Sequence, residues 1–592
     1  MVKKSWIDRF LRWENKNISE RQMLVFLSIF IGIFAAIAAV VLKTSVHYLE
    51  NWVRSVPGAY MGNWLFLLFP VIGILITVLY VNRFIREDIS HGVSNILHAI
   101  SRNKGVMKLH NIYSSIIACT FTGGLGGSVG MEAPIVSTGA AIGSNIAKSA
   151  KMGFRRTSLL IGCGAAAAIA AIFKAPIAGL IFSLEVLKLD LTMTSLMPLL
   201  VAAVVGTIFS SLFLGEQVDF HFTLQDPFNY SHIPLYILLG IITGLVSLYF
   251  IWVNEQVETK VGRIGPTYLR VLYGGILLGV LIFLFPPLFG EGYYSMRGIL
   301  SGQPEQLLDD SFYGHLIESG SMLFIGFMVL VLFFKAIATS LTIGAGGVGG
   351  VFAPSLFMGG IAGFIFSRTA NFFSNLNISE NNFTLVGMAG LIAGVIHAPL
   401  TAVFLIAEIT GGYELIIPLI LVASISYMTV IYFKPFSLYE KRLGEKGHLI
   451  THHKDHAVLT LLNVENVLET NFDQLLPDQT LGDLVKVIAR ASRNIFPVID
   501  DQKRFLGLVR LDDVREIMFD QSQYDKLTVR DLMIQPRATV NSSDSMETVM
   551  HKFRNSGLWN MAVVDNGKYK GFVSRANVFN IYRKMLIEVS DV

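Results

Sequence analysis

Thr122 to Pro134 reads TGGLGGSVGMEAP and places one carboxylate, Glu132, inside an otherwise uncharged apolar stretch. An ionisable group among membrane-type residues is costly to keep there, so by default it marks a functional site that faces a cavity. The glycines around it leave the backbone free to turn, and Pro134 suits the first turn of a helix. A loop therefore runs into a helix start, whose unpaired N–H groups and positive dipole end attract an anion. Glu132 is placed to occupy that seat itself.

The stretch has a second copy. Thr342 to Pro354 reads TIGAGGVGGVFAP, 220 residues later, with Phe352 where Glu132 stands. GAAAAIAAIFKAP (Gly164 to Pro176) likewise recurs as GMAGLIAGVIHAP (Gly387 to Pro399) at an offset of 223. Two independent matches at nearly one offset indicate a duplication. Gly-interrupted apolar segments in corresponding positions of two halves are the sign of a repeat-built transporter whose site lies where broken helices meet. The direction of the second repeat relative to the first is not readable from sequence.

Working outward, the 592 residues are 53% hydrophobic and only 15% charged, too apolar for a soluble chain of this length. The net charge of +4 is dispersed, with no basic run that would bind nucleic acid. Cys119 and Cys163 both lie in apolar runs, where a free thiol behaves as a small hydrophobe, so there is no disulfide framework or thiolate metal site. Residues 1–22 read as a charged amphipathic surface helix, 23–260 as a first membrane repeat and 261–445 as a second. Met23 to Leu42 is the first span, at about the ~20 residues a hydrocarbon core needs. Later runs are uneven, and Ala336 to Ser367, uncharged throughout, is too long for one straight span, so a broken or re-entrant path is expected. Lysines and arginines before the first span and after the last place both termini in the cytoplasm.

Residues 446–462 read as a linker. Its His448, His452, His453 and His456 fit no zinc spacing. A soluble α/β tail follows, itself duplicated: Thr480 to Asp500 aligns with Ser545 to Asp565 at an offset of 65, giving units at 463–524 and 525–592. Each half reads helix, strand, strand, helix, from apolar residues at helical spacing followed by FPVID and FLGLV, or MAVVD and YKGFV.

GMEAP (Gly130 to Pro134), GVFAP (Gly350 to Pro354), FKAPIAGLIFSLE (Phe173 to Glu185) and PFSLY ending at Tyr439 occur in the order found in the CLC family of chloride channels and proton-coupled chloride exchangers. The chain resembles that family through about Tyr439, and its tail resembles a tandem CBS-domain pair. The resemblance implies a multi-pass helical membrane protein with inverted repeats and broken helices. It also implies a homodimer in the lipid bilayer, the cell membrane in a prokaryote, in which each subunit carries its own chloride path. No cofactor and no enzymatic activity are implied. Carried over by motif, Glu132 is the gating glutamate, Val351 and Phe352 supply N–H donors to the anion, and Tyr439 supplies a hydroxyl.

Two departures bear on function. SHGVS (Ser90 to Ser94) stands where the family has GSGIP, which puts His91 at the serine that would bind chloride and Ser94 at the proline. Val186 stands where many exchangers carry an internal proton-transfer glutamate, and valine relays no protons. This favours a passive channel and leaves the proton-coupled exchanger as the alternative. In the CBS pair, Asp513 and Asn577 fall where an acid often holds a nucleotide ribose; Ser574 is kept while Arg510 replaces its counterpart, so adenine-nucleotide binding is left open. Glu185 and Glu408, equivalent in the two repeats, read as structural or interface acids. A CBS-regulated cation transporter is the rival of another class, but it wants several converging oxygen ligands, and only Glu132 lies in the paired signatures. A membrane-anchored enzyme fails because no nucleophile and base pair stands out.

Overall fold

The computed structural model describes residues 19–55, 65–102, 105–190, 192–215, 228–308, 311, 317, 321–374, 376–441 and 462–590. Nearly all of the expected surface helix at 1–22, and of the linker at 446–462 with its four histidines, lies outside the described residues. The chain divides into two compact units, residues 1–449 and 450–592, each taken here by itself.

In the first unit, the helices that frame the site are α1 (Glu20–Ser55), α2 (Leu65–Tyr80), α3 (Gly92–Arg102), α4 (Ser114–Gly124) and α5 (Glu132–Ser149), then α6 (Phe154–Phe173), α7 (Pro176–Glu185) and α8 (Met193–Leu214). The second half supplies α9 (Ile233–Gly262), α10 (Thr267–Leu284), α11 (Tyr293–Leu300), α12 (Met322–Gly344), α13 (Phe352–Ser374), α14 (Glu380–Ile396), α15 (Pro399–Ile409) and α16 (Ile416–Phe433). Among the described residues nine helices are long and apolar enough to cross a membrane. The long uncharged runs break as their composition suggests. Ala336 to Ser367 holds the end of α12, a glycine loop and most of α13, while α14 and α15 share the run from Phe383 to Ala407.

The breaks recur at equivalent places. Helices α6 and α14 both end on a non-glycine residue in the left-handed conformation, Lys174 (φ 57°) and His397 (φ 59°), followed by Ala-Pro opening the next helix. Proline at the first turn lacks only an N–H that would be unpaired there, so each helix restarts at little cost. Glu185, at the end of α7, then accepts the backbone N–H groups of Leu400 (3.0 Å) and Thr401 (2.7 Å) at the start of α15. Glu408, near the end of α15, accepts those of Ile177 (3.0 Å) and Ala178 (2.8 Å) at the start of α7. Each helix thus caps the other's N-terminus with its own C-terminal acid, which requires the pair to lie side by side and antiparallel. Both glutamates are structural acids, as their positions suggested.

The signature loops obey the same two-fold relation. Gly130 and Gly350, equivalent residues, exchange both backbone hydrogen bonds (2.9 and 2.7 Å) in an antiparallel bridge. The Thr122 hydroxyl accepts the Val348 N–H at 3.1 Å, and the Thr342 hydroxyl accepts the Ser128 N–H at 3.2 Å. A side chain at Gly130 would meet Ala353 Cβ at 2.9 Å, and one at Gly350 the Ala133 nitrogen at 3.0 Å, so only glycine lets the two loops cross this closely. The starts of α5 and α13 meet head to head, their helices running in opposite directions. The repeats are inverted.

The second unit contains two helix–hairpin modules. In the first, α17 (Leu481–Arg490) leads to β1 (Ile495–Ile499) and β2 (Phe505–Arg510); in the second, α18 (Met546–Ser556) leads to β3 (Asn560–Asp565) and β4 (Lys568–Ser574). The hydroxyls of Thr480 and Ser545, equivalent residues, cap the two helices by accepting the N–H groups of Asp483 and Thr548, both at 3.2 Å. Both hairpins are antiparallel and shift register at the same place, Val498/Ile499 and Val563/Val564. The modules differ after the hairpin. In the first the hairpin is followed by a single α-helical turn, Leu511–Val514, and short 3-10 turns, whereas Arg575–Ser590 forms a full helix in the second.

Candidate functional site

Glu132 is the first residue of α5 and is buried, 3% exposed. Its Oε1 accepts the Tyr293 hydroxyl at 2.9 Å. Tyr293 opens α11, whose preceding loop also reaches α5: Glu291 Oε1 accepts the Met131 N–H at 2.8 Å. Phe352, the equivalent of Glu132, is buried at the start of α13 with its ring 5.5 Å from Phe173. Val351, just before it, is buried as well.

Tyr439 is buried and near enough to feel the charge of Glu132. Its segment is fastened by ion pairs, Lys188 to Glu440 at 3.0 Å and both Lys434 and Lys441 to Glu255 at 2.9 and 3.0 Å. Ser94 contributes a further tie, since its hydroxyl donates to the Tyr439 carbonyl at 2.8 Å. The serine that replaces the family's proline therefore binds the Tyr439 segment to α3. A proline there has no such donor.

His91 immediately precedes α3, and Gly92, the first residue of that helix, rests on the Ala133 carbonyl in the first turn of α5. The starts of α3, α5 and α13 and the Tyr439 segment are thus gathered around one locus. The imidazole itself is directed elsewhere, its Nε2 lying 3.2 Å from Glu258 Oε1 on α9. Val186 is buried at the end of α7, where its side chain offers no proton-carrying group; the ion pair formed by Lys188 lies two residues on.

Glu291, bound to the Met131 N–H next to Glu132, and the two lysines in its field, Lys43 and Lys335, are not singled out by the sequence. Lys43, Glu291 and Lys335 each directly follow an uncharged run, Met23 to Leu42, Val271 to Gly290 and Met322 to Phe334, and so read as its boundary. In the structure α1 continues through Lys43 to Ser55, and α12 passes unbroken through Lys335, which is wholly buried. For Lys335 the signal was present, because a single charge between two long apolar runs is the pattern that set Glu132 apart.

A family model described as "Voltage gated chloride channel" matches residues 73–430, and the CBS domain model matches 464–520 and 529–584. The chain belongs to the voltage-gated chloride channel, or CLC, family. Among similar relatives, an H(+)/Cl(-) exchange transporter ClcA of Vibrio cholerae is 28% identical over 440 residues, covering 71% of this chain and 87% of the relative. Chloride channel protein CLC-f of Arabidopsis thaliana is 25% identical over 569 residues, covering 84% of this chain and 69% of the relative. A crystal structure of a slow cyanobacterial Cl-/H+ antiporter shares the fold at a TM-score of 0.63 and 22% identity, over 73% of this chain and 99% of that one. This CLC chain is a multi-pass membrane protein of anion transport and not an enzyme, with a tandem CBS pair at its C-terminal end.

The CBS residues singled out from sequence are engaged within their own unit. Asp513 accepts two bonds from the Arg510 guanidinium, at 2.7 and 2.8 Å, and the pairing raises the Arg510 pKa above its ordinary value. The Ser574 hydroxyl donates to Glu469 at 2.5 Å, and the Asn577 amide donates to the Val467 carbonyl at 3.0 Å.

Proposed function

We propose that this CLC protein passes chloride as a homodimer, each subunit by its own path, gated by Glu132 and without obligatory proton coupling. The path runs past the opposed starts of α5 and α13, where N–H groups near Val351 and Phe352 and the Tyr439 hydroxyl face the anion. Glu132 competes for that seat as a carboxylate and leaves it when protonated. The observation that carries the uncoupled reading is Val186, a buried aliphatic residue at the place of an internal proton carrier. Both termini lie in the cytoplasm, and the CBS pair adjusts gating.

A second reading, the proton-coupled exchanger, is favoured by the relative of 28% identity that bears an exchanger's name. The deciding experiment is reversal potential in reconstituted liposomes, with the chloride gradient held fixed while a proton gradient is imposed. A potential that follows chloride alone is expected. A shift with the proton gradient would establish the exchanger, with protons crossing by a route that does not use position 186.

A further inference from the structure

The loop between α10 and α11 touches the start of α5 twice, through Glu291 on the Met131 N–H and Tyr293 on the Glu132 carboxylate. Its shape is fixed by left-handed glycines on either side of Glu291, Gly290 (φ 59°) and Gly292 (φ 93°). It is also fixed from α12, where the Lys335 ammonium donates to the carbonyls of Gly290 (2.9 Å) and Leu288 (3.3 Å). Glu291 is 6% exposed, yet it lines a cleft of about 200 Å³ together with His47, Glu50, Arg54 and Tyr293. Glu291 thus holds the start of α5 from a neighbouring loop and at the same time borders the cleft.

The electrostatic surroundings come from five elements. Glu132 on α5 and Glu50 on α1 place negative charge near Glu291, and Lys43 on α1 and Lys335 on α12 place positive charge. Cys119 on α4 lies within the field of both Glu132 and Glu291. Tyr293 on α11 binds Glu132, while His47, 3.3 Å from Glu50, stands in the cleft wall. Two carboxylates at one helix start repel, so a charge on either disfavours a charge on the other.

We propose that Glu291 is a second carboxylate of the gate, a positioning residue through which protons in the cleft set how readily Glu132 leaves the anion seat. The proposal rests on the reading of Glu132 as the gate and adds the route by which pH reaches it. Protonation of Glu291 removes one negative charge from beside Glu132 and weakens its hold on the Met131 N–H. The proton comes from water in the cleft and returns there. Helix α1 lines the cleft with its C-terminal end, from His47 to Arg54, so the responsive side is the one opposite Glu20.

The test is chloride flux against pH in liposomes carrying the full chain. Glu132→Gln is expected to flatten the profile; a profile unchanged from wild type would overturn the gate reading and this proposal with it. With that variant flat, Glu291→Gln is expected to move the midpoint about one unit to lower pH, because Glu132 loses a neighbouring negative charge. Glu291→Asp, which keeps the charge, should restore the midpoint toward wild type. A Glu291→Gln profile that overlays wild type overturns the role of Glu291 and leaves the gate standing. Should the glutamine variant not be recovered folded, wild-type liposomes with orientation assigned by protease access to the N-terminus carry the test. Response to pH on the cleft side is expected, and response confined to the other side overturns the proposal.

Discussion

On the proposed anion path, His91 in place of a serine would change what an anion meets. A serine there offers a short, rotatable O–H donor, whereas the His91 ring is committed to Glu258 at 3.2 Å and brings a carboxylate with it. His91 and Gly92 stand at the start of α3, so under that proposal a backbone N–H remains for the anion while the directional side-chain donor is lost. We expect His91→Ser to raise the chloride-to-nitrate permeability ratio by about threefold, a change well under 1.4 kcal/mol. Bi-ionic reversal potentials read this directly, and an unchanged ratio removes His91 from the anion path. Neither the pairing with Glu258 nor the tie from Ser94 to Tyr439 was legible in the sequence. Their partners are 167 and 345 residues away, and only packing brings them together.

At the scale of elements, the fold depends on short helices whose ends are held by other helices. The N-termini of α7 and α15 would each bury unpaired N–H groups without the opposite carboxylate. Charge-assisted bonds of this kind contribute about 1.5 to 3 kcal/mol each, and orphaned buried donors add their own desolvation cost. Glu185→Ala is therefore expected to destabilise the membrane unit by about 3 kcal/mol, and Glu185→Gln by roughly half of that, since one oxygen remains to accept. Thermal unfolding in detergent measures both, and a melting point unchanged in the alanine variant would refute the cap. The duplication in sequence announced that these helices correspond. It could not say that they exchange caps, because an acid at the end of an apolar run is equally suited to an interface or to solvent.

At the scale of the whole molecule, a membrane unit and a CBS unit carry separate chemistries. In the CBS unit Asp513, which the motif places where an acid would hold a ribose, is paired with Arg510. We expect Arg510→Ser to free it and to tighten adenine-nucleotide binding by about tenfold, or 1.4 kcal/mol. Titration calorimetry checks this, and equal affinity in both proteins would show that Asp513 holds no ribose. The sequence by itself determined the membrane class, the duplication, the broken signature segments, the lone carboxylate at Glu132 and the repeated helix–hairpin units of the tail. All of these are local patterns of hydropathy and glycine spacing, imposed by the need to satisfy backbone groups wherever a helix breaks. Only the tertiary structure decided that the repeats are inverted. It also put Glu291 on the Met131 N–H beside Glu132, Lys335 on the Gly290 carbonyl, and the Ser94 hydroxyl on the Tyr439 carbonyl. Those facts depend on which distant residues meet, and a charge that ends an apolar run reads alike in sequence whether it emerges into water or turns inward to a buried partner.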